Sequence, residues 1–239
     1  MTLTPDESQA LWLSAKVALC AMTLCLPLGI AVSWLLARRE FRGKILLDAL
    51  VQLPMVVPPV VPGYLLLLLL GTHGPLGHWL DEHFGIVVAF TWKGAALASA
   101  VMAFPLMVQP LRLAFRMIDP RLERAATTLG ATPLRAFLTV TLPLALPGII
   151  AGSMLCFSRS LGEFGATMAF VGNIPGETRT LPLAIYSFTH VTGGEAPALR
   201  LAILSIALAF AALLATHWIS RRAEQRLGYL DSGGARAGA

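Results

Sequence analysis

The chain is poor in charge, in cysteine and in the short motifs that mark an enzyme. Only 13% of its 239 residues are charged, against roughly 25% in an average soluble domain, and the mean hydropathy is +0.72, which argues against a soluble enzyme. The three cysteines, Cys20, Cys25 and Cys156, all lie inside apolar runs, form no CxxC and leave an odd one over, so neither a disulfide framework nor a metal site is expected. No GxxxxGK[ST] phosphate loop occurs, so any ATP chemistry must belong to another subunit. HExxH, GxSxG, and a Ser–His or paired-Asp arrangement within the apolar runs are also missing, which leaves an intramembrane enzyme without a constellation. A basic leader is lacking too. The first apolar run follows Asp6 and Glu7, exceeds a signal-peptide core and has no convincing cleavage site, so it is expected to remain in the mature protein.

What is present is apolar length. Five runs, at about residues 11–37, 45–71, 87–111, 142–171 and 199–219, can each cross a hydrocarbon core of about 30 Å. The expected fold is an all-α polytopic membrane protein with five transmembrane helices. A sixth run, residues 181–191, is too short to cross and reads as an interfacial or re-entrant helix, tolerated only where protein or water covers its ends. The net charge of +5 does not point to nucleic acid, because the basic residues sit in the loops. One set of loops (38–44, 112–135 and the C-terminal tail), with the adjoining span ends, carries 13 Lys/Arg and 6 Asp/Glu; the other set carries 4 and 6. By the positive-inside rule the N-terminus, residues 1–10, is outside, and the tail, residues 221–239, is cytoplasmic. The Gly/Ala-rich end of that tail, after Tyr229, is expected to be disordered.

The second span contains Pro54, Pro58, Pro59 and Pro62. Each removes a backbone donor and obstructs the carbonyl four residues back, so the freed carbonyls need a neighbouring helix or a wet cavity. The span is read either as lining a path or gate, to which Pro58 and Pro59 contribute, or as a kink that shapes packing. In the fourth span Gly148 and Gly152 form a GxxxG, a weak signal for close helix approach. His73, His78 and His83 recur every five residues, a spacing that does not align them on a helix, and read as ordinary solvated histidines.

The loop between the third and fourth spans has more punctuation than a connection needs. Asp119 can cap a helix with Pro120 at its first position, Gly130 can close it in the left-handed conformation, and Thr132-Pro133 repeats the start signal. Ala125 and Ala126 keep part of this short helix small, which lets a partner approach. With Gly130 and Leu142-Pro143, they give the stretch its likeness to the "EAA" loop of binding-protein-dependent ABC importer permeases. Arg124 stands directly before the alanines where that pattern has its acid, and Glu123 lies one residue earlier. The resemblance implies a type I ABC importer transmembrane domain over residues 11–220. It also implies a coupling loop at 119–135 whose Glu123, Ala125, Ala126, Gly130 and Ala131 meet an ATPase subunit. The bland alternative is a capped amphipathic loop lying on the membrane.

Arg159 and Glu163 lie in the middle of the fourth span, four apart and so on one helical face, where an unpaired charge costs about 2.5–3.5 kcal/mol on translocon scales. They are read either as a pair that fixes helix packing or as part of an anion path to which Arg159, Ser160, Thr167 and the nearby glycines contribute. The stretch from Ser160 through Glu163, Phe164, Gly165 and Thr167, followed by Asn173-Ile-Pro-Gly-Glu-Thr-Arg-Thr, resembles the molybdate branch of these permeases; its Gly-Glu-Phe-Gly-Ala part also occurs in the sulfate/thiosulfate branch. Asn173, Pro175, Glu177 and Arg179 are placed to form an outer gate or to meet a docked binding protein; the alternative is a plain structural turn.

The resemblance implies a multi-pass protein of the bacterial inner membrane that passes molybdate, and with it tungstate, by alternating access. One set of five spans is a thin wall for a polar pathway, so a homodimer is expected. The resemblance further implies two ATPase subunits that hold the ATP-Mg and a periplasmic molybdate-binding protein; no cofactor or metal is expected in this chain. Sulfate or thiosulfate is the alternative cargo, since these anions are also tetrahedral dianions. A proton-coupled carrier with Arg159 and Glu163 as relay is the alternative mechanism; the absence of repeat symmetry and the unexplained loop stand against it.

Overall fold

Proline and glycine divide the apolar runs into more helices than there are runs. The computed structural model describes residues 4–235, with side-chain detail as far as Ala215 and at Trp218. All regular structure among the described residues is helical. Thr4 starts α1 (Pro5–Arg38) with a reciprocal capping box to Glu7, and Pro5 occupies the first turn. The helix then runs unbroken through Pro27.

The second span is not one helix. It consists of α2 (Lys44–Val56) and α3 (Val60–Leu70), bent by 111° across Val57-Pro58-Pro59. A helix not anticipated in the following loop comes next: α4 (Pro75–Phe84), opened by Gly74-Pro75 and closed by Gly85 at φ 62°. Its His78 pairs with Glu82 at 3.3 Å and its His83 stacks on Trp79, all of them exposed. The third run becomes α5 (Trp92–Met117), capped by Thr91 and set six residues later at its far end than residues 87–111 suggest. Then come α6 (Pro120–Thr128), α7 (Pro133–Ala136), a π turn at Phe137–Thr141, α8 (Leu142–Leu144) and α9 (Leu146–Leu161).

The fourth span, expected as one helix over residues 142–171, is broken twice. The chain bends by 68° between Pro133–Leu144 and Leu146–Leu161, and the helix stops at Gly162 before restarting as α10 (Gly165–Val171). The short sixth run is α11 (Leu181–Thr189). The final helix, α12 (Glu195–Ala235), reaches into the tail, and residues 236–239 lie outside the described residues. By length and composition three helices can cross a membrane (α1, α5 and Glu195–Ala215 of α12), and five spans result if each bent pair counts as one.

The core is built around α5, which packs against α1 on one side and α9 on the other. Lipid tails are as apolar as leucine, so close packing rather than water exclusion must hold these helices together. The sequence supplies small residues for it. Ala95, Ala96, Ala98 and Ala103 of α5 are fully buried. The Gly148–Gly152 pair lies directly on α5, where a Cβ at Gly152 would come within 2.6 Å of the Met107 carbonyl oxygen.

Candidate functional site

Two places in the fold carry the residues singled out by the sequence. The first is the loop end of the bundle. Asp119 accepts a hydrogen bond from the Arg121 amide at 2.8 Å, with Pro120 at the first helical position. At the other end of α6, Gly130 adopts φ 93° and the chain closes in a Schellman motif: the Gly130 amide donates to the Thr127 carbonyl and the Ala131 amide to that of Ala126. Thr132 then caps α7 through the Arg135 amide. No residue of α6 is buried, and Ala125, Gly130 and the nearly bare Leu129 lie open.

Glu123 does not share that outward face. Its carboxylate accepts a hydrogen bond from the hydroxyl of the fully buried Thr141, in the π turn that leads into α8 and α9, and pairs with Arg38 at the end of α1 at 3.5 Å. One side chain therefore ties the exposed helix to two parts of the bundle. Arg124, beside it, is exposed. A second charged tie, Arg112 to Asp48 at 2.7 Å, joins α5 to α2.

The second place is where the two broken spans meet. The break at Val57-Pro58-Pro59 faces the break at Gly162-Glu163-Phe164, and α3 lies on α10. The approach is close enough to require glycine twice. A Cβ at Gly63 would stand 2.5 Å from the Ala166 carbonyl oxygen and 2.8 Å from its Cα, and one at Gly165 would stand 2.8 Å from Cβ of Pro59. Glu163 organises the break. It is 1% exposed; one carboxylate oxygen accepts the Ala166 amide at 2.8 Å, and the other lies 2.8 Å from Arg159 Nη1, an ionic contact without an aligned hydrogen bond. The acid thus satisfies an orphan donor at the start of α10 and neutralises the arginine together.

Of the residues grouped with that pair, Ser160 and Thr167 are buried, and the Thr167 hydroxyl donates to the Phe164 carbonyl at 2.9 Å. Arg159, Phe164, Gly165, Pro58 and Pro59 reach the surface of the chain. So the structure brings the whole set together, but only part of it faces outward.

The loop after α10 is a built turn. Asn173 accepts from Arg179 Nε at 2.9 Å and donates to Ser187 at 2.7 Å, the Ile174 carbonyl accepts from the Glu177, Thr178 and Arg179 amides, and Glu177 accepts the Trp92 amide at 3.4 Å. Asn173 and Arg179 hold the turn, while Pro175 and Glu177 are exposed. Sequence reasoning missed Arg38 and Thr141 as partners of Glu123. It also missed the bridge from Arg200 Nη2 to the fully buried Glu7 at 2.9 Å, which joins α12 to α1. Only the polar residues at the edges of apolar runs hint at either.

Comparison with known proteins fits this geometry. The sequence pattern of the family described as "Binding-protein-dependent transport system inner membrane component" matches residues 26–225. The molybdenum transport system permease protein ModB of Escherichia coli (strain K12) is 55% identical over 228 residues, 95% of this chain and 100% of that protein. The sulfate transport system permease protein CysW of the same organism is 39% identical over 181 residues, 76% of this chain and 62% of that protein. Among solved structures, a bacterial ABC transporter involved in the import of the acidic polysaccharide alginate has a chain that superposes with a TM-score of 0.72. It is 17% identical, with 92% of this chain and 80% of that one covered, and so attests the type I importer fold alone. The protein is a multi-pass inner membrane transport component and not an enzyme, with the ATPase on a separate subunit. The chain belongs to the family of binding-protein-dependent transport system inner membrane components, in its ModB-type branch.

Proposed function

We propose that this chain is the membrane subunit of an ATP-driven molybdate importer that also passes tungstate, and that it works by alternating access as a homodimer. Two ATPase subunits carrying ATP-Mg bind at the loop end, which is cytoplasmic, and a periplasmic molybdate-binding protein docks at the opposite end. The observation that carries the reading is the pairing of an uncovered, doubly capped α6 with a single carboxylate, Glu123, that anchors it to the bundle. A helix held in this way moves with whatever seats on it.

The mechanism follows from the chain's own residues. Ala125, Ala126, Gly130 and Ala131 form the seat for an ATPase subunit. When the ATPases close on ATP, α6 shifts, and Glu123 passes that shift to Arg38 on α1 and to Thr141 at the bend before α9. The far end of α9 carries Arg159 and the break at Gly162–Phe164, so the contact between α3 and α10 is the element that parts. Arg159, part-exposed beside its partner Glu163, then offers its remaining guanidinium N–H donors to the passing dianion, with Pro58, Pro59, Phe164 and Gly165 beside it. Pro175 and Glu177 are the exposed residues for binding-protein contact or an outer gate, with Asn173 and Arg179 behind them.

The test is uptake of radiolabelled molybdate, with and without excess sulfate, in cells carrying the chain and its partners. Uptake that resists sulfate and is lost in Arg159→Ala is the expected result. Full uptake by Arg159→Ala at normal protein yield would overturn the role given to this residue. The 39% identity to a sulfate permease supports a second cargo of the same geometry and charge. Suppression of uptake by modest sulfate would favour it.

A further inference from the structure

A groove of about 710 Å³ runs beside α1 from Pro27 to the loop end. Its floor and walls are apolar, formed by Ile30, Ala31, Trp34, Leu134 and Phe137, and its rim carries Arg39 and Arg124. From Pro27 to Arg39 the helix covers about 18 Å, close to half of a hydrocarbon core of about 30 Å. The groove is therefore one leaflet deep, with its charged rim where headgroups lie.

The charge at that rim is uncompensated. Arg39 and Arg124 are exposed and have no carboxylate within ion-pair distance among the described residues, and the nearest acid in the groove, Glu123, is already taken by Arg38 and Thr141. Arg39 stands 5.6 Å over the Trp34 ring, whose buried Nε1 has no hydrogen-bond partner. An anionic headgroup suits this pattern better than a zwitterionic one, which brings the same phosphate but adds an ammonium beside two arginines.

We infer that this groove binds one anionic phospholipid of the loop-side leaflet, its phosphate at Arg39 and Arg124 and one acyl chain along Trp34 towards Pro27. The lipid would lie between α1 and α6, against the same helix that Glu123 anchors.

The test is fluorescence quenching of Trp34 in the complete transporter, reconstituted in phosphatidylcholine vesicles with a small fraction of either brominated-chain phosphatidylglycerol or brominated-chain phosphatidylcholine. Trp34→Phe identifies the signal by difference. Since the probe lipid occupies both leaflets, the readout is independent of the orientation and cargo proposed above. Two interfacial arginines give an expected preference for phosphatidylglycerol on the order of 30-fold. The preference should vanish in Arg39→Gln/Arg124→Gln and survive in Arg39→Lys/Arg124→Lys. Equal quenching by both lipids would overturn the proposal, as would a preference retained in the glutamine variant. Absence of quenching by either lipid would mean that protein, such as a second copy of the chain, covers the groove, and would overturn it too.

Discussion

The loop end and the mid-bundle break use the same residue types for opposite purposes. Gly130 has nothing within 4 Å of where a Cβ would stand, and glycine is needed there only for its φ of 93°. At Gly63 the backbone of α10 fills the space, and glycine is needed because there is no room. The two acids differ in parallel. Glu123 is part-exposed and reaches across 18 residues to Thr141, whereas Glu163 is buried and serves its own local break. One region is an open helix at the end of the bundle, and the other is a closed contact between half-helices. A transporter needs both, and the comparison separates variants that hurt stability from variants that hurt coupling.

The break should fail first as a matter of stability. Glu163→Ala removes the partner of Arg159 and the acceptor of the Ala166 amide, and is expected to cost on the order of 3 kcal/mol, read as a lower unfolding temperature in detergent. Glu163→Gln keeps an acceptor for the amide and should cost about half as much. A Gln variant as damaged as the Ala variant would show that the ion pair, not the cap, is what matters. Gly63→Ala forces α3 off α10 and should cost about 2 kcal/mol by overpacking, again measured thermally. If it were neutral, the two half-helices would not be in rigid contact.

At the loop end the same assays should show little. Gly130→Ala places a Cβ in the left-handed region, worth about 1 kcal/mol. Gly130→Asp should leave membrane insertion intact yet abolish uptake, as judged by copurified ATPase and molybdate transport. Normal ATPase binding and normal uptake in that variant would remove the docking role of α6. Glu123→Gln should cost less than about 1 kcal/mol in thermal stability because the pair is partly solvated, although its effect on coupling should be large. The smallest thermal effect is expected for Gly130→Asn, since asparagine tolerates the left-handed conformation.

These contrasts also show which features leave a trace in the sequence and which do not. The ends of α6 are readable because Asp119, Pro120, Gly130 and Thr132 act on neighbours within a turn, and local chemistry leaves local signals. The all-helical membrane fold follows from apolar length alone. The break at Gly162–Phe164 is harder to see. An acid between two glycines inside an apolar run reads as well as a paired charge on a continuous helix, and neither its bond to the Ala166 amide nor the contact of α10 with α3 shows in the sequence. Glu123 is the least legible. Its partner Arg38 lies on α1, and no periodicity within the loop can report a contact made by folding. The helix α4 leaves a signal, Gly74-Pro75 and then Gly85, but in a segment whose length permits a plain connection.

The most direct measurement is transport per ATP hydrolysed by the reconstituted assembly, wild type against Glu123→Gln, with the loaded binding protein present. Transmission through Glu123 predicts that the variant keeps its ATPase subunits and hydrolyses ATP, but moves several-fold less molybdate for each ATP. An unchanged ratio would mean that α6 does not act on the membrane helices through this carboxylate, and would contradict the role proposed for it.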